Sequence, residues 1–382
     1  MGSLAVIRSL GRARYPVHAC SSRPDALGLR SNFAQTTAIS PEDDKDFVGW
    51  LRDYVRRENI RAVIPSERVL LAVRHIFKDF APLLPFSPCP QILYSGLSKF
   101  DLFEKLKSSP RLSEHLPPTL LIPNTGQLPD ATDLSSIGDR FYIKADGSYA
   151  RARGAAGTTH KNLSAQQATS QLRELAPQFR KLLVQGHVPG RGVGVFFLFW
   201  DGEVVAQFMH RRLHEIPHTG GVSSFRESWW HPGIRDDALR KLTSLGWQGV
   251  AMMEYRWEPE SDRFYFIEMN GRFWGSLHLA LYAGVDFPTL LLDSFHNHRP
   301  NPVEDFPVGV RCRHTFPMEV QYVWSCFMDR SVPQLGRLWS ILEWFKLMLD
   351  PRICSDLLFP GDKKLYWINF RRFWFTLFSN ES

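Results

Sequence analysis

The chain has 382 residues, 44% of them hydrophobic, and a formal net charge of +7, enough to bury a core shared by two or three subdomains and to suit an anionic ligand. No apolar run is long enough to span a bilayer, and no basic run interleaved with aromatics marks a nucleic-acid module, so neither a membrane span nor a nucleic-acid partner is expected. Cys20, Cys89, Cys312, Cys326 and Cys354 are scattered without metal-type spacing, which predicts free thiols in a reducing, cytoplasmic setting.

Residues 3–11 read as a helix stopped by glycine and 15–20 as a strand. Arg8, Arg12, Arg14 and Arg23 all precede the first acid, Asp25, a superficial likeness to a transit peptide whose simpler reading is an ordinary first helix. Residues 44–58 place Phe47, Leu51 and Val55 at helical spacing, 60–65 read as a strand and 69–80 as a helix. This alternation predicts a small parallel α/β unit over residues 1–94. Lys99 opens the next helix, at an N-terminus whose dipole favours phosphate; a surface lysine on an amphipathic helix is the competing reading. Residues 119–122 follow as a short strand.

Residues 140–144, RFYIK, read as a strand ending in Lys144, and the loop after it carries Gly147, Gly154 and Gly157 with Arg151 and Arg153. Such a loop lets backbone N–H groups approach phosphate while the lysine supplies charge. A Walker motif has the opposite order, lysine after loop. A disordered Arg/Gly linker is the alternative, disfavoured by the flanking strand and by the helix capped through Ser164 and Gln167. With few apolar residues to pin it, the loop over 146–158 is expected to be mobile and to close over a bound nucleotide. Residues 182–188 and 191–212 read as strands, the latter a hairpin turning at Asp201-Gly202. The GRGVG run at 190–194 is no dinucleotide fingerprint, because an aromatic strand follows it where a helix should open. Arg211 and Arg212 precede Gly220-Gly221, an arrangement suited to a carboxylate or a phosphate and equally to ordinary surface charge. His210, His214 and His218 lie in the same stretch as candidate bases, mere substrate contacts being the commoner role of loop histidines.

Residues 248–276 organise the chain. Two aromatic-rich segments flank Glu258-Pro259-Glu260-Ser261-Asp262, so the stretch reads as a β-hairpin. A turn symmetric about Ser261 sets Glu254 opposite Glu268, and like charges so placed are destabilising unless a cation sits between them. Asn270 shares that face and adds an oxygen; an all-oxygen set favours Mg²⁺ or Mn²⁺ over zinc. A solvated acidic face is the alternative. An acid followed by Glu268-x-Asn270-x-Arg272 and a small-residue turn into a helix resembles the ATP-grasp superfamily, nearest the ATP-binding domains of carbamoyl-phosphate synthetase and biotin carboxylase. The likeness covers residues 95–300 and is most specific over 250–288.

The resemblance implies an α/β and α+β architecture. It comprises a small Rossmann-like domain (1–94) lacking its first strand and glycine turn, an ATP-grasp domain (95–298), and a helical, aromatic-rich region (299–382). It implies ATP, with Lys99 and Lys144 on the phosphates, the loop glycines around them, and backbone groups of Gln185, Gly186, His187 and Val188 on the adenine. Family members carry a glutamate near Gly186 or Arg191, so the ribose contact here is unassigned. Glu254, Glu268 and Asn270 would hold Mg²⁺ or Mn²⁺; Arg272 and Arg211 would stabilise the moving phosphoryl group and an acceptor carboxylate. The implied activity is a carboxylate–amine ligase with small-molecule substrates, the alternatives being a phosphotransferase and a nucleotide binder without turnover. Beyond residue 300, residues 335–349 read as an amphipathic helix and 353–378 as an aromatic, basic tail, expected to pack on the body in preference to a membrane surface.

Overall fold

A computed structural model describes residues 1–152 and 157–379, which form three sheets. The first holds only β1 (His18–Ser21) and β2 (Thr36–Ile39), paired in parallel behind the buried helix Gly2–Arg12. The strand expected over 60–65 does not form: Val63 N–H donates to the Leu83 carbonyl at 2.7 Å, and β1 and β2 pair only with each other, leaving this stretch without a ladder. The single helix expected over 69–80 is broken into Glu67–Val73, a tight turn at Arg74–Ile76 and Phe77–Phe80.

The second sheet is antiparallel, in the order β3 (Thr119–Ile122), β6 (Leu182–Gly186), β4 (Phe141–Ala145), β5 (Thr158–Leu163). The helix Ala165–Leu175 covers one face, started by the Ser164/Gln167 capping box, and its Ala168, Leu172 and Leu175 join Phe141, Ile143, Leu182 and Val184 in a core of their own. Alternation along β4 therefore buries Phe141 and Ile143 on that side and turns Tyr142 and Lys144 to the other.

The third sheet has seven strands. The two hairpins β7 (Arg191–Trp200)/β8 (Glu203–Ile216) and β10 (Gly249–Trp257)/β11 (Phe264–Asn270) supply four of them, in the order β11-β10-β7-β8, followed by β9 (Val222–Ser228), β12 (Arg311–Arg313) and β13 (Ile353–Ser355). Asp201 (φ 49°) and Gly202 (φ 84°) turn the first hairpin, the pair of positive angles that suits a two-residue turn to strand twist. β12 and β13 add two short strands to the helical C-terminal region: both are three residues long, too short for a periodic signal, β12 pairing with the edge of β9 and β13 with β12. The remaining C-terminal chain is helical, and Phe316 gathers Trp344, Phe370 and Phe373 around it at ring distances of 6.2, 5.2 and 5.6 Å.

Candidate active site

A cavity of about 740 Å³ lies between the four-stranded and seven-stranded sheets. Its centre is the β10/β11 hairpin. Glu254 does lie opposite Glu268, but the turn is centred half a residue earlier than Ser261. Trp257 pairs with Phe264 and Tyr255 with Phe266, and a bulge at Ile267 then shifts the register by one and brings Glu254 to Glu268. The bulge has a second effect, in that the Ile267 carbonyl turns to accept from Lys144 Nζ at 3.0 Å, tying the two sheets together across the cavity.

The two carboxylates converge. Asn270 Nδ2 donates to Glu254 Oε1 at 3.1 Å and to Glu268 Oε1 at 3.4 Å, so three side chains meet at one point. Cations surround them: Lys99 Nζ is 3.4 Å from Glu268 Oε2, and Arg212 is hydrogen-bonded to Glu254 Oε2. Burial by itself raises the Glu268 carboxyl, but Lys99 and then Lys144 hold it down at about 2. Burial pushes the Lys144 ammonium down to about 8 against the pull of Glu268.

Lys99 reaches this centre through Glu268 and does not itself line the cavity. Nor is its helix N-terminus open to phosphate as expected, because Asp146 Oδ2 accepts from Phe100 N–H at 2.8 Å and from Ser98 Oγ at 3.0 Å and occupies that end. In the loop after Lys144, Arg153 and Gly154 lie outside the described residues. Gly147 and Gly157 back onto each other without lining the cavity, and a Cβ on Gly157 would come within 3.0 Å of the Gly147 nitrogen. Arg151 is turned away, with its N–H donating to the Gln178 carbonyl at 2.8 Å and its Nη2 to Thr125 Oγ1 at 3.2 Å. That pins the described start of the loop, against the expectation of mobility throughout.

Gln185, Gly186, His187 and Val188 all line the cavity. The N–H groups of Gly186 and His187 already donate to the carbonyls of Pro118 and Arg140, at 2.9 and 2.8 Å. That leaves the Val188 N–H as the donor of this stretch without a partner among the described residues. Gln185 Nε2 is buried and equally unpartnered.

Arg272 lines the cavity, with its Nη1 donating to the Phe273 carbonyl at 3.1 Å. Arg211 does not. Its guanidinium bonds Glu227 at 2.6 and 2.8 Å on the opposite face of β8, and the neighbouring Arg212 takes the place expected for it. Strand alternation is the reason: His210 and Arg212 share the cavity face, and β7 makes room for both with Gly192 and Gly194. A Cβ on Gly192 would fall 2.7 Å from Arg212 Cδ, and one on Gly194 3.0 Å from His210 Nε2. Two glycines of the GRGVG run, Gly192 and Gly194, thus have a packing explanation, and their spacing was the signal for Arg212 that sequence reasoning passed over. Beyond Arg212 the cavity continues to His210, Arg226, Trp274 and Asp356. Both ring nitrogens of His210, Nε of Arg226 and Nε1 of Trp274 are buried without partners, and burial drives the His210 imidazole well below its usual range, so it is neutral at pH 7.

The sequence matches no family model and no curated protein. The structure does match solved ones. Biotin carboxylase from Campylobacter jejuni, solved as a β,γ-ATP complex, superposes with a TM-score of 0.61 at 14% identity, over 81% of this chain and 72% of that one. N5-carboxyaminoimidazole ribonucleotide synthetase from Thermus thermophilus gives 0.58 at 15% identity, over 81% and 79%. L-amino acid ligase from Bacillus licheniformis gives 0.56 at 13%, over 78% and 73%. The fold is ATP-grasp. The biotin carboxylase domain of Hydrogenobacter thermophilus 2-oxoglutarate carboxylase, a fourth match with a TM-score of 0.61 at 15% identity over 81% and 71%, was solved with MgADP, ADP and bicarbonate. At such identities the ATP-grasp likeness carries the architecture and leaves the reaction open.

The residues present fit a nucleotide and a hard cation. Gln185 Nε2 is an unsatisfied donor on the cavity wall, Val188 adds a backbone N–H without a partner among the described residues, and Lys144 lines the same space. Glu254 and Glu268 direct oxygens at one point, and rotating the Asn270 amide presents its oxygen there as well. Among the described residues no group of three or more His, Cys, Asp or Glu would hold a metal. Mg²⁺ needs none, since one or two carboxylates plus substrate phosphates and water suffice.

Proposed function

We propose that the protein is an ATP- and Mg²⁺-dependent ligase that joins a small carboxylate to an amine through an acylphosphate. The observation that supports it is the convergence of Glu254, Glu268 and Asn270 on one point beside Lys144, in a cavity that Arg212 and Arg272 also line. In this reading Gln185 to Val188 bind the adenine edge, Val188 N–H being the available backbone donor. Lys144 binds phosphate, with Lys99 held nearby through Glu268. The cation, when bound, neutralises phosphate charge. Arg272 and Arg212 orient the acceptor carboxylate, whose oxygen attacks the γ-phosphorus as the bond to ADP breaks. The amine then attacks the acyl carbon, phosphate leaves, and the proton goes to solvent. No protein nucleophile is required, because positioning and charge neutralisation are what phosphoryl transfer asks of a site.

The test is ADP release with Mg²⁺ over a panel of amino acids and small carboxylates, followed by product analysis. ADP with an amide supports the ligase. ADP with a stable phosphoester identifies a phosphotransferase, and tight ATP binding without ADP identifies a binder. Either result rules out the ligase reading.

A further inference from the structure

The helix Gln334–Leu349 is apolar on two sides. Toward the body, Trp344 and Met348 pack into the Phe316 cluster. Away from it, Leu335, Leu338, Trp339, Leu342, Phe345 and Leu349 are each between 57% and 83% exposed. At 3.6 residues per turn these six fall within an arc of about 120°, and Lys346 falls within the same arc. The adjoining helix Val320–Met328 packs against this one and exposes Trp324 and Phe327; the last helix, Lys364–Ser379, exposes Trp367 and Phe375 with Arg371 between them. A monomer rarely leaves a continuous apolar face of this kind uncovered.

Charge decides what covers it. The described carboxylates of this region lie beside partners within the protein. Asp329 meets His218, Glu343 meets His214, Asp350 meets Arg352, Asp356 meets Arg226 and Asp362 meets Arg8. Arg330, Lys346, Lys363 and Arg371 have no carboxylate partner among the described residues. A second copy docked about a two-fold axis would set this cationic face against itself. An anionic surface is complementary to it, and indoles beside lysine and arginine are the composition that settles at lipid headgroups.

We infer that this face binds an anionic phospholipid surface, with the helix Gln334–Leu349 lying in the plane of the headgroups. No helix among the described residues is long and apolar enough to cross a membrane, so the contact is peripheral. Each unpaired cation strengthens partitioning to an anionic surface by about fivefold. The inference does not depend on the ligase reading.

The experiment is co-sedimentation of the full chain with phosphatidylcholine vesicles, with and without 30 mol% phosphatidylserine, at low and high salt. The chain should bind the phosphatidylserine vesicles and bind phosphatidylcholine alone at least tenfold more weakly, the difference shrinking in high salt. The double substitution Leu342→Glu/Phe345→Glu should abolish binding while thermal melting and ATP binding stay unchanged. Lys346→Glu/Arg371→Glu, which leaves the apolar stripe intact, should remove the preference for phosphatidylserine. Wild-type protein that fails to sediment with anionic vesicles overturns the inference. So does a dimer seen by light scattering, dissociated by Leu342→Glu/Phe345→Glu and indifferent to vesicles, since the face would then be a self-association surface.

Discussion

Replacing Lys144 by methionine separates a phosphate-binding role from a structural one. Lys144 is 5% exposed, and its one hydrogen bond among the described residues runs to the Ile267 carbonyl at 3.0 Å, leaving N–H groups for the cavity. Methionine keeps the length of the side chain and removes the charge. A charge-assisted hydrogen bond is worth about 1.5–3 kcal/mol, so ATP binding should weaken by roughly ten- to a hundredfold. Adenosine carries no phosphate and should lose little. The assay is titration of ATP, ADP and adenosine against wild type and Lys144→Met, with thermal melts recorded in parallel. If the lysine serves only to tie β4 to the bulge at Ile267, the melt falls and all three ligands weaken by the same factor. Equal losses for ATP and adenosine refute the phosphate role.

Glu268→Gln should abolish Mg²⁺-dependent ADP formation. It should also destabilise the protein without ligand by on the order of 2 kcal/mol in urea unfolding, because Lys99 and Lys144 lose the charge they share. Facing carboxylates alone predict the opposite sign, a gain in stability. Arg211→Met should leave turnover within about twofold of wild type, since Glu227 keeps Arg311 at 2.7 Å, whereas Arg212→Met should cost about a hundredfold in kcat/KM. Similar losses in both would show that the face assignment on β8 is wrong. Burial pushes the Asp356 carboxyl up, but Arg226 and then His278 and His314 hold it at about 2, so its stabilisation is complete above the ordinary carboxylate value and lost as pH falls from about 4 toward 2. Asp356→Asn should lower stability by about 3–5 kcal/mol at neutral pH and flatten the acid limb of the urea profile; an unchanged limb would mean that other groups set it.

Local chemistry made much of this fold legible. The Asp201-Gly202 turn, the Ser164/Gln167 capping box, the helix opened by Lys99 and the hairpin carrying Glu254 and Glu268 are each specified by a few adjacent residues, and the structure has them all. The same adjacency failed wherever a partner came from far along the chain. β12 is a strand because β9 has an edge to offer and β13 because β12 has one, and 60–65 is not a strand because no described strand pairs with it.

The candidate site divides along the same line. Sequence by itself determined which residues carry charge, which strand bears them, and that two glutamates would share a face, since side chains alternate along a strand. Only the tertiary structure decided which charges meet. Asp146 caps the Lys99 helix end where phosphate was expected, Arg151 turns out to Thr125, and Arg211 spends its charge on Glu227 while Arg212 faces the cavity. The single-residue bulge at Ile267 sets the final register of the two glutamates and hands its carbonyl to Lys144 from another sheet. An ion pair depends on separations of a few ångströms between residues that can be more than a hundred positions apart, and no local pattern encodes that distance.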